Sequence, residues 1–150
     1  MGNFVHLHVH TEYSILDGAT KIAVAAKKAK ALGMPALAIT DHGNMYGAVN
    51  FFDACEKEGI KAIIGTEFYV CDDLAEKTGK PKLRHLVLLC KNEEGYKNIS
   101  LLNAIAFRDG FHYKPRIDLK TLAEHHEGLI CLSACLAGDI PQAILNRNFE

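Results

Sequence analysis

His6, His8 and His10 occupy alternate positions of one short apolar run, with Val5 before them and Leu7 and Val9 between them. Alternate residues of a strand leave the same face, so the spacing predicts a row of imidazoles on one side and an aliphatic row on the other. A single hydrogen-bonded histidine sits easily in a protein interior. Several adjacent ones would cost desolvation unless a cation or a carboxylate organised them. Two further candidates follow other apolar runs: Asp41-His42 after residues 36–40, and Glu67 after Gly65-Thr66. Mixed imidazole and carboxylate donors suit zinc, manganese or iron, whereas magnesium and calcium prefer oxygen alone. Several such ions close together can polarise a phosphoryl oxygen, make a nucleophile from water near neutral pH and stabilise a leaving oxygen, which is the chemistry of phosphoester hydrolysis. A Gly-rich phosphate loop with its lysine and a G-x-S-x-G nucleophile elbow are both missing, so nucleoside triphosphatase and serine hydrolase chemistry find no support. His10, His42 and Glu67 are the candidate catalytic residues.

Elements that would position these groups can be read from the periodicity. Residues 4–9 alternate with period two and predict a first strand. Thr20 can cap a helix running to Leu32, whose apolar stripe includes Ile22, Ala25, Ala26, Ala29 and Leu32, with Gly33 at the stop. Residues 36–40 form a second strand, residues 47–57 a second helix ended by Gly59, residues 60–64 a third strand and residues 66–71 another. A polar loop at 72–84 precedes a buried strand at 85–90. Asn92 then caps a helix to about residue 107, with Glu93 and Glu94 favourable to the dipole in its first turn. After the 108–116 loop, Asp118 can cap a short helix. Residues 129–133 read as a strand and residues 139–146 as a final helix that tolerates Pro141 in its first turn.

Strands alternating with helices predict an α/β fold with a largely parallel sheet, either open or closed into a barrel. Functional groups of such folds collect at the carboxyl ends of strands, which aims His10, His42 and Glu67 at one rim. His85 begins its strand, the wrong end for that rule, unless the strand starts earlier or runs in reverse.

The composition is that of a folded single domain spanning residues 1–150, with 49% hydrophobic and 23% charged residues. Lys and Arg number 17 against 18 Asp and Glu, a balance unlike that of a generic polyanion binder. No apolar run approaches the roughly 20 residues that span a bilayer, and the first residues lack the regions of a signal peptide, so the expected setting is cytoplasmic with no membrane partner. Five cysteines without a CxxC pair predict reduced thiols rather than a disulfide framework.

The ordered segments His8-Val9-His10-Thr11, Leu16-Asp17-Gly18, Thr40-Asp41-His42-Gly43-Asn44, Gly65-Thr66-Glu67, His85-Leu86-Val87-Leu88-Leu89 and Ser133-Ala134-Cys135-Leu136 resemble the successive motifs of the polymerase and histidinol phosphatase (PHP) domain. More narrowly, the opening Phe4-Val5-His6-Leu7-His8-Val9-His10 and the stretch Tyr113-Lys114-Pro115-Arg116-Ile117-Asp118 are similar to the N-terminal region of the bacterial replicative, C-family DNA polymerases. The resemblance covers essentially the whole chain. It implies a distorted (β/α)7 barrel, incomplete at the C-terminal end, with up to three transition metal ions (zinc, manganese or iron) at one rim. Carried over by position, His8, His10, Asp17, His42, Glu67, His85 and Cys135 match metal ligands, with Glu67 the bridging carboxylate. A later Asp-x-His motif of the family is not matched, so the expectation is weak or absent hydrolysis from these residues alone. The implied activity is a 3′ to 5′ proofreading exonuclease acting on the primer 3′ end of DNA, within a polymerase that works with other replisome subunits. Two other outcomes remain open: a structural module that docks a separate proofreading subunit, and a stand-alone phosphatase of the histidinol phosphatase type.

Several residues admit plainer roles. Asp17-Gly18 is also an ordinary turn dipeptide, and Cys135 can be a small buried hydrophobe. His6 is a candidate to orient a ligand or carboxylate, while His112, His125 and His126 read as solvated. Lys77, Lys80, Lys82 and Arg84 share one polar loop, and Arg108, Lys114 and Arg116 flank Phe111 and Tyr113 in another. Basic residues mixed with aromatics can track single-stranded nucleic acid, but two solvated loops give the same pattern.

Overall fold

Short apolar runs punctuated by glycine set the elements of the computed structural model, which describes residues 4–148. Helix α1 (Ile22–Ala31) buries Ile22, Ala26 and Ala29 and stops before Gly33, which adopts φ 74°. Its N-cap is Lys21, not the expected Thr20, and it lacks a side-chain cap bond. Thr20 is committed elsewhere: its carbonyl accepts from Glu12 N at 2.9 Å and closes the 11–20 loop. Strand β1 (Ala36–Ile39) is buried on both faces. Helix α2 (Ala48–Glu58) ends at Gly59 in the left-handed conformation. The two strands expected at 60–64 and 66–71 are one continuous strand, β2 (Lys61–Cys71). Gly65 does not break it, because a Cβ there would stand 2.5 Å from Leu88 O, so the residue marks close approach of the next strand rather than a turn. Then come β3 (Arg84–Cys90) and α3 (Glu93–Arg108), whose Asn92 cap accepts from Gly95 N. A three-residue strand that the periodicity did not reveal, β4 (Arg116–Asp118), leads into α4 (Leu119–Glu124), with Asp118 accepting from Thr121 N as anticipated. Strand β5 (Leu129–Leu132) and helix α5 (Asp139–Leu145) complete the order.

The sheet runs β1-β2-β3-β5, with β4 also paired to β2. It is mixed, not largely parallel: β1 and β4 are parallel to β2, while β3 is antiparallel to both β2 and β5. The reason lies in the 72–83 connection, which contains no helix to carry the chain back across the sheet and so returns it in the opposite direction. β1 pairs with the first half of β2 and β4 with its last three residues. β3 occupies the opposite edge over 65–70, so β1 and β4 share one edge of β2, one beyond the other.

Residues 6–9 lie extended beside β1, with Ala38 N donating to His6 O and Thr40 N to Val9 O, but they do not make a regular strand. The Thr40 hydroxyl accepts from Val9 N at 2.8 Å and takes the place of a ladder bond. Helices α1 and α2 pack Ile22, Ala26, Phe51 and Cys55 against Leu37 and Ile39. Helix α3 packs Ile99, Leu102 and Ala106 against Phe68, Val70 and Leu88. The other face of the sheet carries a smaller cluster of Ala38, Val87 and Leu89 with Ile63, Leu132 and Ala134. Helices on one face and a lightly filled second face are the wall of an α/β barrel, incomplete among the described residues. Among the described residues, no helix is long and apolar enough to cross a membrane.

Candidate metal centre

Between the parts of β2 that pair with β1 and with β4, its edge is bridged once, His42 opposite Glu67 in parallel register. Glu67 N donates to Asp41 O at 3.1 Å and Gly43 N to Glu67 O at 2.8 Å. Gly43 has φ 63°, and a Cβ on it would stand 2.8 Å from Pro115 Cγ, so only glycine turns the chain away directly after His42. Glu67, 1% exposed, stands on the inner face two residues below Tyr69.

Histidines converge on that carboxylate. His8 Nε2 lies 2.5 Å and His10 Nε2 3.0 Å from Oε2, while His85 Nδ1 lies 2.6 Å from Oε1. His42 Nδ1 is 3.9 Å from Oε2, and its Nε2 is 3.2 Å from Asp17 Oδ2. Cys135 Sγ lies 3.4 Å from His85 Nδ1. All seven residues expected as ligands are therefore gathered at one place, from segments that span most of the chain. His85 reaches the rim because β3 is reversed: the amino end of an antiparallel strand lies toward the carboxyl ends of the strands it pairs with. His6 does not join them; its ring packs edge-on against Phe4 at 4.7 Å. The strict alternation of the three imidazoles fails because residues 4–9 are extended without being a regular strand.

Residues that carry no ligand hold the loops in place. Asp41, 1% exposed, accepts from Thr11 N at 2.6 Å, Thr11 Oγ1 at 2.7 Å and Ser14 Oγ at 2.6 Å, and Ser14 Oγ in turn accepts from His42 N. This carboxylate ties the loop bearing His10 and Asp17 to the one bearing His42. Tyr69 walls the site, its ring 6.0 Å from that of His42 and 5.1 Å from that of His85. Thr11, Ser14 and Tyr69 were not singled out in the sequence. Tyr69 had a signal there, since it falls two residues from Glu67 on the same strand face.

Electrostatics follow from this packing. Burial alone would raise the Glu67 pKa, but hydrogen bonds from His10, His8 and His85 outweigh it and hold the carboxyl far below its usual range. The Glu67 hydrogen bond raises His10 against the opposing effect of burial. Burial, helped by the neighbouring His10 charge, lowers His42.

Two sets of donors each bring their atoms within 4.8 Å of one another: His8, His10 and Glu67, and His42, Glu67 and His85. Donor atoms around one tetrahedral ion stand roughly 3.4 Å apart, given bonds of about 2.0–2.2 Å. Both sets are compatible with that spacing, and both use Glu67. His42 Nδ1 is buried with no hydrogen-bond partner although it is 3.9 Å from the carboxylate, an unpaired donor atom that fits a metal ligand. The residues fit a transition metal centre.

Comparison with known proteins places the chain in a family. The PHP domain model matches residues 6–150. The chain belongs to the PHP domain family. Among curated relatives, it is 52% identical over 147 residues to DNA polymerase III subunit alpha of Treponema pallidum and 52% identical over 149 residues to that of Helicobacter pylori. Those matches cover 95% and 98% of this chain but only 13% and 12% of the relatives, so the chain spans about an eighth of their length. A solved structure from Bifidobacterium adolescentis aligns with TM-score 0.48 and 24% identity over 71% of this chain and 36% of its own.

Proposed function

We propose that this PHP domain is the metal-dependent phosphodiesterase region of a bacterial replicative DNA polymerase, a DNA polymerase III alpha subunit, and that it removes nucleotides from the primer 3′ end as a 3′ to 5′ proofreading exonuclease. The observation that carries the reading is the buried Glu67 carboxylate, approached by histidines on both oxygens and shared by two donor sets. His8, His10 and Glu67 would hold one ion, and His42, Glu67 and His85 a second. Asp17 beside His42 and Cys135 beside His85 extend these sets toward the third ion expected of the family. Zinc, manganese or iron suits such donors. When bound, these ions polarise a phosphoryl oxygen and lower the pKa of water.

The protein's own part is positional. Glu67 fixes the spacing of the two sets, because one buried carboxylate supplies an oxygen to each. Asp41 fixes the approach of the His10 and His42 loops. Glu67, His10 and His42 are the proposed catalytic residues, since they surround the place where the reacting phosphate would meet both ions. DNA synthesis from deoxynucleoside triphosphates, the cytoplasmic setting and contacts with other replisome subunits belong to the same proposal and lie with the longer protein. Identity near 50% to DNA polymerase III alpha subunits supports it.

The test is metal content and 3′ exonuclease rate of the full-length protein, free of other nucleases, with His8→Ala and Glu67→Ala beside it. Both quantities should fall in both variants. An unchanged metal-dependent rate in either one would overturn the exonuclease reading.

A further inference from the structure

The arginines of the two basic loops are already engaged, whereas Lys77, Lys80, Lys82 and Lys114 have no carboxylate partner among the described residues, and of these four Lys114 stands against an aromatic ring of the site. Arg84 pairs with Asp72 at 2.5 Å and with Asp139 at 3.0 Å, and Arg108 pairs with Asp109 at 2.6 Å. Arg116 is buried and donates to the carbonyls of Gly110, Glu76 and Leu74, fastening the two loops to each other. Lys114 is different. Its Nζ stands 5.4 Å from the centre of the Tyr69 ring, the same ring that walls His42 and His85. Among the described residues no carboxylate pairs with it.

A tight turn puts it there. His112 N donates to Lys114 O, and Tyr113 between them takes φ 61°, a strained conformation for a side chain that is not glycine. The turn borders an open cleft of about 480 Å³ whose inner wall includes Asp17, His42 and His85 and whose outer wall includes Tyr46, Phe107 and Lys114. Tyr46 and Phe107 are exposed with ring centres 6.2 Å apart, and Phe111 continues the row 6.4 Å beyond. Exposed aromatic faces beside a free lysine, opening directly onto a phosphodiesterase centre, match what unpaired nucleotides require: a flat surface for a base and a cation for the backbone. Duplex bases, stacked on each other, cannot use such faces.

We propose that this cleft is a recognition subsite for a single-stranded nucleic-acid 3′ end, with Lys114 taking a backbone phosphate and Tyr46 and Phe107 stacking on unpaired bases. The proposal rests on the hydrolytic reading of the adjoining centre and adds the strandedness of its substrate.

It is tested by anisotropy of a short 5′-labelled oligonucleotide, single-stranded or as a blunt duplex, with the full chain. Variants are Lys114→Ala, Lys114→Arg, the Tyr46→Ala/Phe107→Ala double variant and Lys27→Ala, an exposed α1 lysine as control. Single strand should bind about tenfold tighter than duplex, and the aromatic variant should lose about tenfold of that affinity. Lys114→Ala should lower the slope of log affinity against log salt by about 0.7, a loss that Lys114→Arg restores and the aromatic variant does not show. Lys27→Ala should bind as wild type. Equal binding of duplex and single strand, or cleft variants within about twofold of wild type, overturns the subsite. Hydrolysis lost in Glu67→Ala but intact in the cleft variants, with their binding unchanged, overturns the subsite and leaves the exonuclease reading standing. Hydrolysis intact in Glu67→Ala, with single-strand preference lost in the Tyr46→Ala/Phe107→Ala variant, supports the subsite and overturns the exonuclease reading.

Discussion

His85 meets Glu67 from the diagonal position of an antiparallel neighbour: Val87 stands opposite Glu67 and His85 opposite Tyr69, yet His85 Nδ1 lies 2.6 Å from Glu67 Oε1. Diagonal partners across a sheet are too distant for short side chains and within reach of an imidazole and a carboxylate. The pair therefore depends on the reversal of β3, which brings the first residues of that strand to the rim where His10 and His42 arrive from other directions.

Because both donor sets use Glu67, replacing it should empty both. Glu67→Gln preserves size but removes the charge that offsets the ions, and metal affinity should fall by at least about a hundredfold. Metal per chain by mass spectrometry after equilibration with zinc or manganese checks this. A glutamine variant with wild-type stoichiometry would mean that the histidines bind without the carboxylate.

Asp41 should matter for stability more than any ligand does. Asp41→Ala strands Thr11 N, Thr11 Oγ1 and Ser14 Oγ in a buried setting, at an expected cost of about 3 kcal/mol. Urea unfolding midpoints of metal-free wild type and variant measure it. Asp41→Asn, which keeps one carbonyl acceptor, should fall between them.

Asp118 gives a pH dependence away from the centre. Burial would raise its pKa, but N–H groups of Thr121 and Leu74 bonded to the carboxylate outweigh burial and hold it below the ordinary value. A carboxyl depressed in the folded state contributes stability above its unfolded pKa of about 4, and loses it as pH falls through the folded value. Asp118→Ala should therefore cost about 1 kcal/mol at pH 7 and progressively less below pH 4. Denaturation of both proteins across that range would show the gap narrowing. A gap that widens in acid would contradict the cap.

The thiols offer a chemical check on Cys135. Burial pushes Cys55 and Cys90 up to about 11, so both should resist alkylation at neutral pH, whereas Cys135 is exposed beside His85. Iodoacetamide labelling read by peptide mass spectrometry should mark Cys135 well before Cys55 or Cys90. Added zinc should slow Cys135 and leave Cys131 unaffected if Cys135 is a ligand.

Much of this was legible in the sequence because punctuation and periodicity are local signals. Gly33 and Gly59 mark helix ends, and Asn92 and Asp118 cap where their spacing says they should. Ordered motifs named the seven residues that the fold brings together. What the sequence hid was non-local. Gly65 looks like a break between strands, and only the approach of Leu88 shows that it is a contact point within one. The direction of β3 is set by a loop whose length is compatible with either sense, so His85 looked misplaced. β4 is too short for any period, and its strand character comes from pairing with Tyr69, Val70 and Cys71. The work of Asp41 was hidden as well: it sits beside His42 in sequence, but its partners Thr11 and Ser14 are some thirty residues away.

The segment bearing His8 and His10 lies against β1 through Ala38 N, Thr40 N and the Thr40 hydroxyl, without a full ladder. Such an edge opens more readily than the central strands. An ion held between that segment and Glu67 would act as the bolt of a latch: each opening would have to release it, so occupancy would suppress opening, and the same linkage would subtract the work of closing the edge from the ion's affinity. Hydrogen exchange at the Val9 and Thr40 amides would then gauge metal loading, and a graft that strengthens the edge would tighten metal binding without touching a proposed ligand.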